Sequence, residues 1–570
     1  MKKIIQIGTS DFKELIEGNN YFVDKSLLIK EFLENGAKII LTPRPRRFGK
    51  TLNLSMIKYF FDTRNKEVTK DLFKGLKIEN EKDIMKLQQQ YPVVFISFKG
   101  IKFNNFEHAI VAIEMLMSDV YKEYRYLMES NVFEEDEKRD FDKIINREAD
   151  LVLLIASIKN LTSYLYKYYN KKVILLIDEY DVPIQESYIS GYYEDMLLLI
   201  RNMLSDALKD NIYLEKSMIT GILRVAKESI FSGLNNLEVN TILGYDFNDK
   251  FGFTEEEIEK LLKYCDTIDE IKNIKKWYNG YTFGGEVIYN PWSVLSYLKK
   301  KREGFKPYWI NSSSNDLIKK LLLKGDNKMK LELEDLIEGK YIFKVIDDNI
   351  VMSEVEDSNE NIWSFLLMSG YLKAIKTENV EGLLNCELKI PNQEVLIFYN
   401  NLIKKWFSET ITNQKYELML ETLISGNIKV FEGIFKEFVI NNLSYFDVSG
   451  KEPERVYHAF VLGILISLSN DYEVKSNKES GYGRYAHIKR CDSTTRNLMI
   501  IPSDVSRTGI IIEFKKIDYF LDDTIEKATK EALTQIEEKK YETELLQKGI
   551  NNILKLAIVF KGKEIKVTQG

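Results

Sequence analysis

Residues Leu41 to Thr51 read LTPRPRRFGKT and set a Gly-Lys-Thr triplet directly behind the apolar run Lys38-Ile39-Ile40-Leu41. Where a strand ends on such a triplet, backbone N–H groups and a helix N-terminus surround phosphate oxygens. The lysine then neutralises the outer phosphates and the hydroxyl holds magnesium. Lys50 and Thr51 suit those two roles, with Gly49 at the turn. The glycine-rich form of such a loop asks for glycine at position 44, but the chain has Arg44 there, flanked by the stiff residues Pro43 and Pro45. Taken alone, the stretch reads more readily as a basic turn entering a helix.

A second stretch, Lys171 to Asp181 (KKVILLIDEYD), ends a hydrophobic run in paired acids. Charges at the end of a buried strand are costly unless a cation or hydrogen-bond partners meet them. Asp178 can coordinate magnesium and Glu179 can polarise an attacking water. The two stretches are expected on neighbouring parallel strands. Together they predict a site for ATP or GTP, ATP first, that uses Arg46, Arg47, Gly49, Lys50, Thr51 and Asp178, with Mg²⁺ (or Mn²⁺ in its place) held by Thr51 and Asp178. Turnover needs a further positive charge at the transferred phosphate. Arg224, at the end of SMITGILR, is the first candidate, and Arg46 or Arg47 the alternative; Arg224 also reads as a salt-bridge partner of Asp178, Glu179 and Asp181.

A chain of 570 residues has room for three to four domains of roughly 150 residues. Apolar residues at 44% and charged residues at 29% are globular values and exclude a disordered chain. The formal charge of -6 offers no support for a nonspecific DNA coat and leaves a local basic face open. Cys265, Cys386 and Cys491 are far apart and form no CxxC pair, so neither a disulfide framework nor a zinc ribbon is expected. The start MKKIIQIGTSDFKELIEG lacks the apolar core of a signal peptide, and no stretch is long and apolar enough to span a membrane. The expectation is a soluble cytoplasmic protein without a membrane partner.

Residues 1–245 alternate β-branched runs with helical patterns, the signature of a parallel sheet with crossover helices. The expected strands are Ile39–Thr42, Val93–Phe98, Val173–Ile177 and Ser217–Gly221. In the long insert before the third strand, the charge cluster EEDEKRDFDK reads as a solvated loop. Residues 246–444 read as a mainly helical middle domain, opening on the cap Thr254 and the acids Glu255, Glu256 and Glu257. WYNGYTFGGEVIYNPWSV (277–294) interrupts the helices as a small hairpin packed against them, or as a nucleotide or partner contact. Residues 445–570 give helix, strand, strand, helix and a final strand at Ala557–Phe560, a separate α/β unit.

Within that unit, Gly509 to Lys515 reads GIIIEFK. Side chains alternate along a strand, so Glu513 and Lys515 share one face and Phe514 points into a core. A carboxylate that binds a divalent ion and an amine beside it suit phosphodiester hydrolysis, although Glu-x-Lys is common on any sheet.

Several stretches together resemble a bacterial AAA-ATPase-like family whose members carry a C-terminal PD-(D/E)XK nuclease-type domain. They are NYFVDKS (20–26), RPRRFGKT (44–51), LLIDEYDVPI (175–184), TGILRVAKESIFSGLNNL (220–237), FGFTEEEI (251–258), WYNGYTFGG and YHAFVLGIL (457–465). The resemblance implies a P-loop NTPase-like parallel sheet, a helical middle domain and a restriction-endonuclease-like α/β domain. It also implies that an arginine-rich loop replaces the glycine-rich one. In the nuclease-type domain it implies that Glu513 and Lys515 are catalytic, that Gln535 and Tyr541 lie near the active face, and that Glu454 assists metal binding. His458 reads as a further contact or as a core histidine.

One departure stands out. The family pattern runs a metal-binding aspartate into the strand before Glu-x-Lys, and this chain has Ala486 there. If AHIKRCDSTTR is an eleven-residue insertion, Asn497 takes the carboxylate position. Asp492 restores the charge if the loop folds back, and a different register would instead leave Asp504 in a turn. The metal set is therefore Glu513 with Asn497, Asp492 and Glu454.

Two functions from different classes follow. One is an ATP-controlled, metal-dependent nuclease that meets DNA, or alternatively RNA, on a basic face drawn from Lys475, Lys478, Arg484, Lys515 and Lys516. The other is a nucleotide-gated DNA- or partner-binding protein with an impaired nuclease fold. A structural assembly protein built on residues 277–310 is a third reading, and self-association is left open by the sequence.

Overall fold

The computed structural model describes residues 2–64, 66–223, 237–312, 315–325, 327–348, 350, 352–408, 413–442, 461, 465, 468, 471–477, 497–517, 524–561 and 564–570. They gather into two compact units, Met1–Leu322 with Phe343–Val395, and Leu323–Ile342 with Leu396–Gly570.

In the first unit, β1 (Ile39–Pro43), β2 (Val93–Ser97), β3 (Val173–Asp178), β4 (Leu214–Gly221) and β5 (Leu237–Val239) form one sheet in the order β2-β3-β4-β1-β5, with every pairing parallel. Every residue of β1 and β3 is buried. That continuous burial is why both read as unbroken apolar runs, since a parallel sheet is covered on both faces. The expectation of neighbouring strands is corrected, because β4 lies between β1 and β3. Strand order is set by how the crossovers pack, which local patterns do not encode.

The cluster EEDEKRDFDK is not a loop but the start of a helix, Glu135–Asn146. A capping box between Glu134 and Glu137 satisfies its first N–H groups, and Phe141, Ile144 and Ile145 form a buried stripe. The charges occupy the opposite, solvated face.

β6 (Phe253–Thr254), β7 (Tyr281–Phe283) and β8 (Glu286–Tyr289) form a three-stranded sheet in the order β6-β8-β7. β7 and β8 make the hairpin expected within WYNGYTFGGEVIY, with Gly284 and Gly285 at φ 51° and 87° in the turn. Tight hairpin turns of this kind need positive φ at both central positions. Tyr278, Tyr289, Val294 and Tyr297 pack behind it with Ile258 and Leu262 of the helix Glu255–Tyr264. A second small sheet holds β9 (Ile342–Ile346), β10 (Lys373–Val380) and β11 (Leu383–Lys389) in the order β10-β11-β9. In sequence, the region of described residues from 246 to 442 is mainly helical, with two small sheets set among the helices. Within it Glu394 is fully buried and accepts hydrogen bonds from Ser293 Oγ at 2.8 Å and the Trp309 backbone N–H at 2.5 Å. Burial pushes its carboxyl up to about 7.

The second unit carries a mixed sheet of β12 (Tyr472–Asn477), β13 (Asn497–Pro502), β14 (Gly509–Lys516), β15 (Ile553–Lys561) and β16 (Glu564–Gln569), in sequential order. Only β14 and β15 run parallel, joined across the helix Ile525–Glu538. The edge strands β12 and β16 lie beyond the strands expected from apolar runs, because edge strands carry polar residues on their open sides. Leu498, Ile500, Ile510, Ile512 and Phe514 face one core, with Phe431 and Phe435. Met499, Ile501 and Ile511 face the other, with Ile536 and Tyr541.

Candidate functional site

Gly49 sits at φ 84° as the cap of the helix Lys50–Phe61. Nothing lies within 4 Å of the position a Cβ would take there, so it is the left-handed backbone that calls for glycine. The turn aims the start of that helix across the end of β1. Lys50 is 5% exposed, and its Nζ donates to the carbonyls of Arg44 at 2.9 Å and Pro45 at 3.0 Å. Burial lowers its pKa, and the nearby Glu179, Asp178 and Asp181 oppose that shift.

Thr51 Oγ1 donates to Asp178 Oδ2 at 2.7 Å, so residues 127 positions apart meet at one point. Asp178 is fully buried, and it also accepts from Thr220 Oγ1 at 2.8 Å and Ser97 Oγ at 3.3 Å. Thr220 comes from β4, the strand between β1 and β3, and Ser97 from the end of β2. Neither was singled out from the sequence, because a hydroxyl at a strand end is common and only the strand order reveals its partner. A hydroxyl and a carboxylate at this distance, on rigid elements, are the oxygen donors a hard divalent cation takes, so the residues present fit magnesium. Glu179 follows at φ 50° with its pKa raised, first by burial, as suits a group that orients or deprotonates water.

Arg44 does not face phosphate. Its guanidinium is buried and donates to the carbonyls of Pro43 at 2.9 Å, Asn240 at 2.6 Å and Phe247 at 3.2 Å, between the rings of Phe251 and Phe283 at 5.3 Å each. Burial lowers its pKa to about 9. Arginine replaces glycine at this position because the side chain turns inward and ties the loop to residues 240–247. Gly252 N–H donates to the Phe48 carbonyl at 3.0 Å and Asn53 Nδ2 to the Lys250 carbonyl at 2.8 Å, so one segment braces both the loop and its helix.

Arg46 Nη2 donates to Gln185 Oε1 at 3.3 Å. Arg47, at φ 69°, lies over the Trp292 ring at 4.1 Å and donates to the Ser312 carbonyl at 3.5 Å. Arg224 lies outside the described residues.

On the C-terminal sheet, Asn497 stands opposite Glu513 in the register of β13 and β14. Both are buried, at 2% and 0% exposure. Strand alternation puts them with Lys515 on the face covered by the helix Ile525–Glu538. Lys515 Nζ donates to Gln535 Oε1 at 2.9 Å, and Gln535 Nε2 reaches Tyr541 OH at 3.5 Å. Asn497 Oδ1 is buried and has no hydrogen-bond partner among the described residues. Glu454, His458, Asp492 and Ala486 lie outside the described residues, as do Lys478, Arg484 and the side chain of Lys516. Lys475 is engaged by Glu544 and Glu473. Asp504 is in a turn and accepts from Ser506 N–H at 2.9 Å. Among the described residues no three of His, Cys, Asp and Glu gather as a metal site. One carboxylate and one amide do not by themselves fit a catalytic divalent ion.

Residues 6–231 match the family model described as Predicted AAA-ATPase, and residues 452–570 match the PD-(D/E)XK nuclease superfamily. A protein of Azotobacter chroococcum, described as an uncharacterized protein in the vnfD 5' region, is 25% identical over 445 residues, which cover 76% of this chain and 77% of that protein. Among solved structures, the Walker-type ATPase paby2304 of Pyrococcus abyssi aligns over 66% of this chain and 94% of its own at 13% identity, with a TM-score of 0.34. Among the described residues no helix is long and apolar enough to cross a membrane.

Proposed function

We propose that this chain, which carries an AAA-ATPase-like domain and a PD-(D/E)XK nuclease superfamily domain, binds and hydrolyses ATP in the cytoplasm and uses that cycle to control how its C-terminal domain engages DNA. The observation that carries the reading is the 2.7 Å bond between Thr51 and Asp178 beside the buried Lys50. Bound magnesium supplies charge neutralisation on the outer phosphates. Thr51 and Asp178 would hold it, Lys50 would give up its two carbonyl acceptors to meet phosphate oxygens, and Glu179 would orient water. Arg224, or Arg46 or Arg47 in its place, would supply the positive charge at the transferred phosphate.

At the C-terminal site Lys515, braced by Gln535, presents a cation to a nucleic-acid backbone. Cleavage is the first reading there, because Glu513 and Lys515 share a face. The second reading, binding without scission, is favoured by the amide of Asn497 opposite Glu513. Measuring ATP turnover and strand cleavage in one preparation, with Mg²⁺ and with Mn²⁺, separates them. Cleavage lost in Glu513→Ala supports the first, and turnover with DNA retention but no cut supports the second. A preparation that neither binds ATP nor retains DNA overturns the proposal.

A further inference from the structure

Asp181, the last acid of the DEYD stretch, does not point at the phosphate loop. Its Oδ2 accepts from the backbone N–H groups of Ile222 at 2.8 Å and Leu223 at 3.1 Å, and from Gln185 Nε2 at 2.7 Å. Tyr180 closes the same grip, its hydroxyl donating to the Leu223 carbonyl at 2.8 Å. Gly221 permits the approach, since a Cβ there would meet Asp181 Oδ1 and the Tyr180 ring at 2.7 Å each. The turn that leaves β4 is therefore clamped to the turn that leaves β3. Gln185 extends the clamp, because its other amide atom, Oε1, accepts from Arg46 at 3.3 Å. Gln185 and Asp181 are 7% and 0% exposed, so water does not compete freely for these bonds.

An amide suits this place. It donates to a carboxylate on one side and accepts from a guanidinium on the other, and the amide of Gln does both through two separate atoms on one planar group. We infer that Gln185 is a positioning residue that, anchored on Asp181, fixes the Arg46 guanidinium at the phosphate loop and ties it to the backbone turn Ile222-Leu223. The assignment rests on the ATP reading above and adds the device by which the loop distinguishes a triphosphate from a diphosphate. A phosphate that draws on Arg46 also draws on Gln185 and, through Asp181, on the residues that directly precede Arg224 in sequence.

The test is the ratio of affinities for a non-hydrolysable ATP analogue and ADP, measured on the full chain by calorimetry. Arg46→Ala lowers the preference for the triphosphate by about tenfold, as loss of one charge-assisted contact does. Gln185→Ala lowers it several-fold with ADP affinity unchanged, and lowers the thermal unfolding midpoint because the buried Asp181 carboxylate loses a donor. In the Arg46→Ala background, Gln185→Ala costs nothing more, because the residue acts through Arg46. Additive losses, or an unchanged ratio in Gln185→Ala, overturn the relay while leaving the ATP site standing. Because Asp181→Asn risks misfolding, Gln185→Glu serves as the second variant. It keeps an acceptor for Arg46 and sets a second carboxylate against Asp181, so it lowers the midpoint and keeps more of the triphosphate preference than Gln185→Ala; the reverse order overturns the assignment. Nucleotide binding that ignores Lys50→Ala sinks the ATP reading itself.

Discussion

Asn497 faces Glu513 directly across the antiparallel pair β13 and β14, and both side chains are buried under the helix that carries Gln535. A second carboxylate at that position would give the sheet two charged oxygen ligands in place of one. Asn497→Asp is therefore expected to raise Mn²⁺ affinity at this site by about an order of magnitude or more, since affinity for such ions follows ligand charge. Without metal the variant sets two buried acids together and unfolds at lower temperature, and Mn²⁺ restores the midpoint. The wild-type midpoint moves little with Mn²⁺. Calorimetric titration and thermal scans with and without the ion check both statements. Strong wild-type binding lost in Asp492→Ala would show that the other acid completes the site.

Lys515 gives a separate handle on DNA. Lys515→Ala is expected to weaken binding uniformly across sequences and to reduce the slope of log affinity against log salt by about 1. Gln535→Ala leaves the charge in place and removes only its brace at 2.9 Å, so it should lower affinity while keeping the slope. Salt titrations by fluorescence anisotropy read both.

Arg44→Ala removes donors from several buried carbonyls at once and is expected to destabilise the first unit by about 2–5 kcal/mol, with ATP affinity falling alongside. Arg44→Lys should not rescue it, because a point charge cannot span the acceptors that a planar fork reaches. Urea unfolding followed through the first unit measures the loss.

Much of this was legible in the sequence and the remainder has definite physical causes. The buried strands β1 and β3 announced themselves as unbroken apolar runs, and the Gly284-Gly285 hairpin by its turn residues. The Thr51–Asp178 contact was within reach because each end carries its own signal. Thr220 and Gln185 carry none, since their roles exist only once β4 slides between β1 and β3. Arg44 looked like a defect in a phosphate loop, and its inward turn depends on carbonyls 196 to 203 residues away. The charged run at 134–143 misled because a helix hides a three-residue apolar stripe within acids.

Glu394 makes stability depend on pH. Its carboxyl rises from 4.5 to about 7 on folding, so between those values the folded chain holds a proton that the unfolded chain has lost. Stability from this group falls as pH rises through that window, by about 1.4 kcal/mol per pH unit, and is level above it. Glu394→Gln keeps an acceptor for Ser293 and Trp309 and removes the ionisation. The wild-type midpoint is expected to drop between pH 5 and pH 7 relative to that variant. Parallel pH profiles that never diverge would contradict the burial argument.

Calorimetric titration of ATP into the wild-type chain, Lys50→Ala and Asp178→Asn, with and without Mg²⁺, bears most directly on the joined site of β1 and β3. The expected result is Mg²⁺-strengthened binding in the wild type, binding lost in Lys50→Ala, and binding that no longer responds to Mg²⁺ in Asp178→Asn. Equal ATP affinity in all three chains would contradict it.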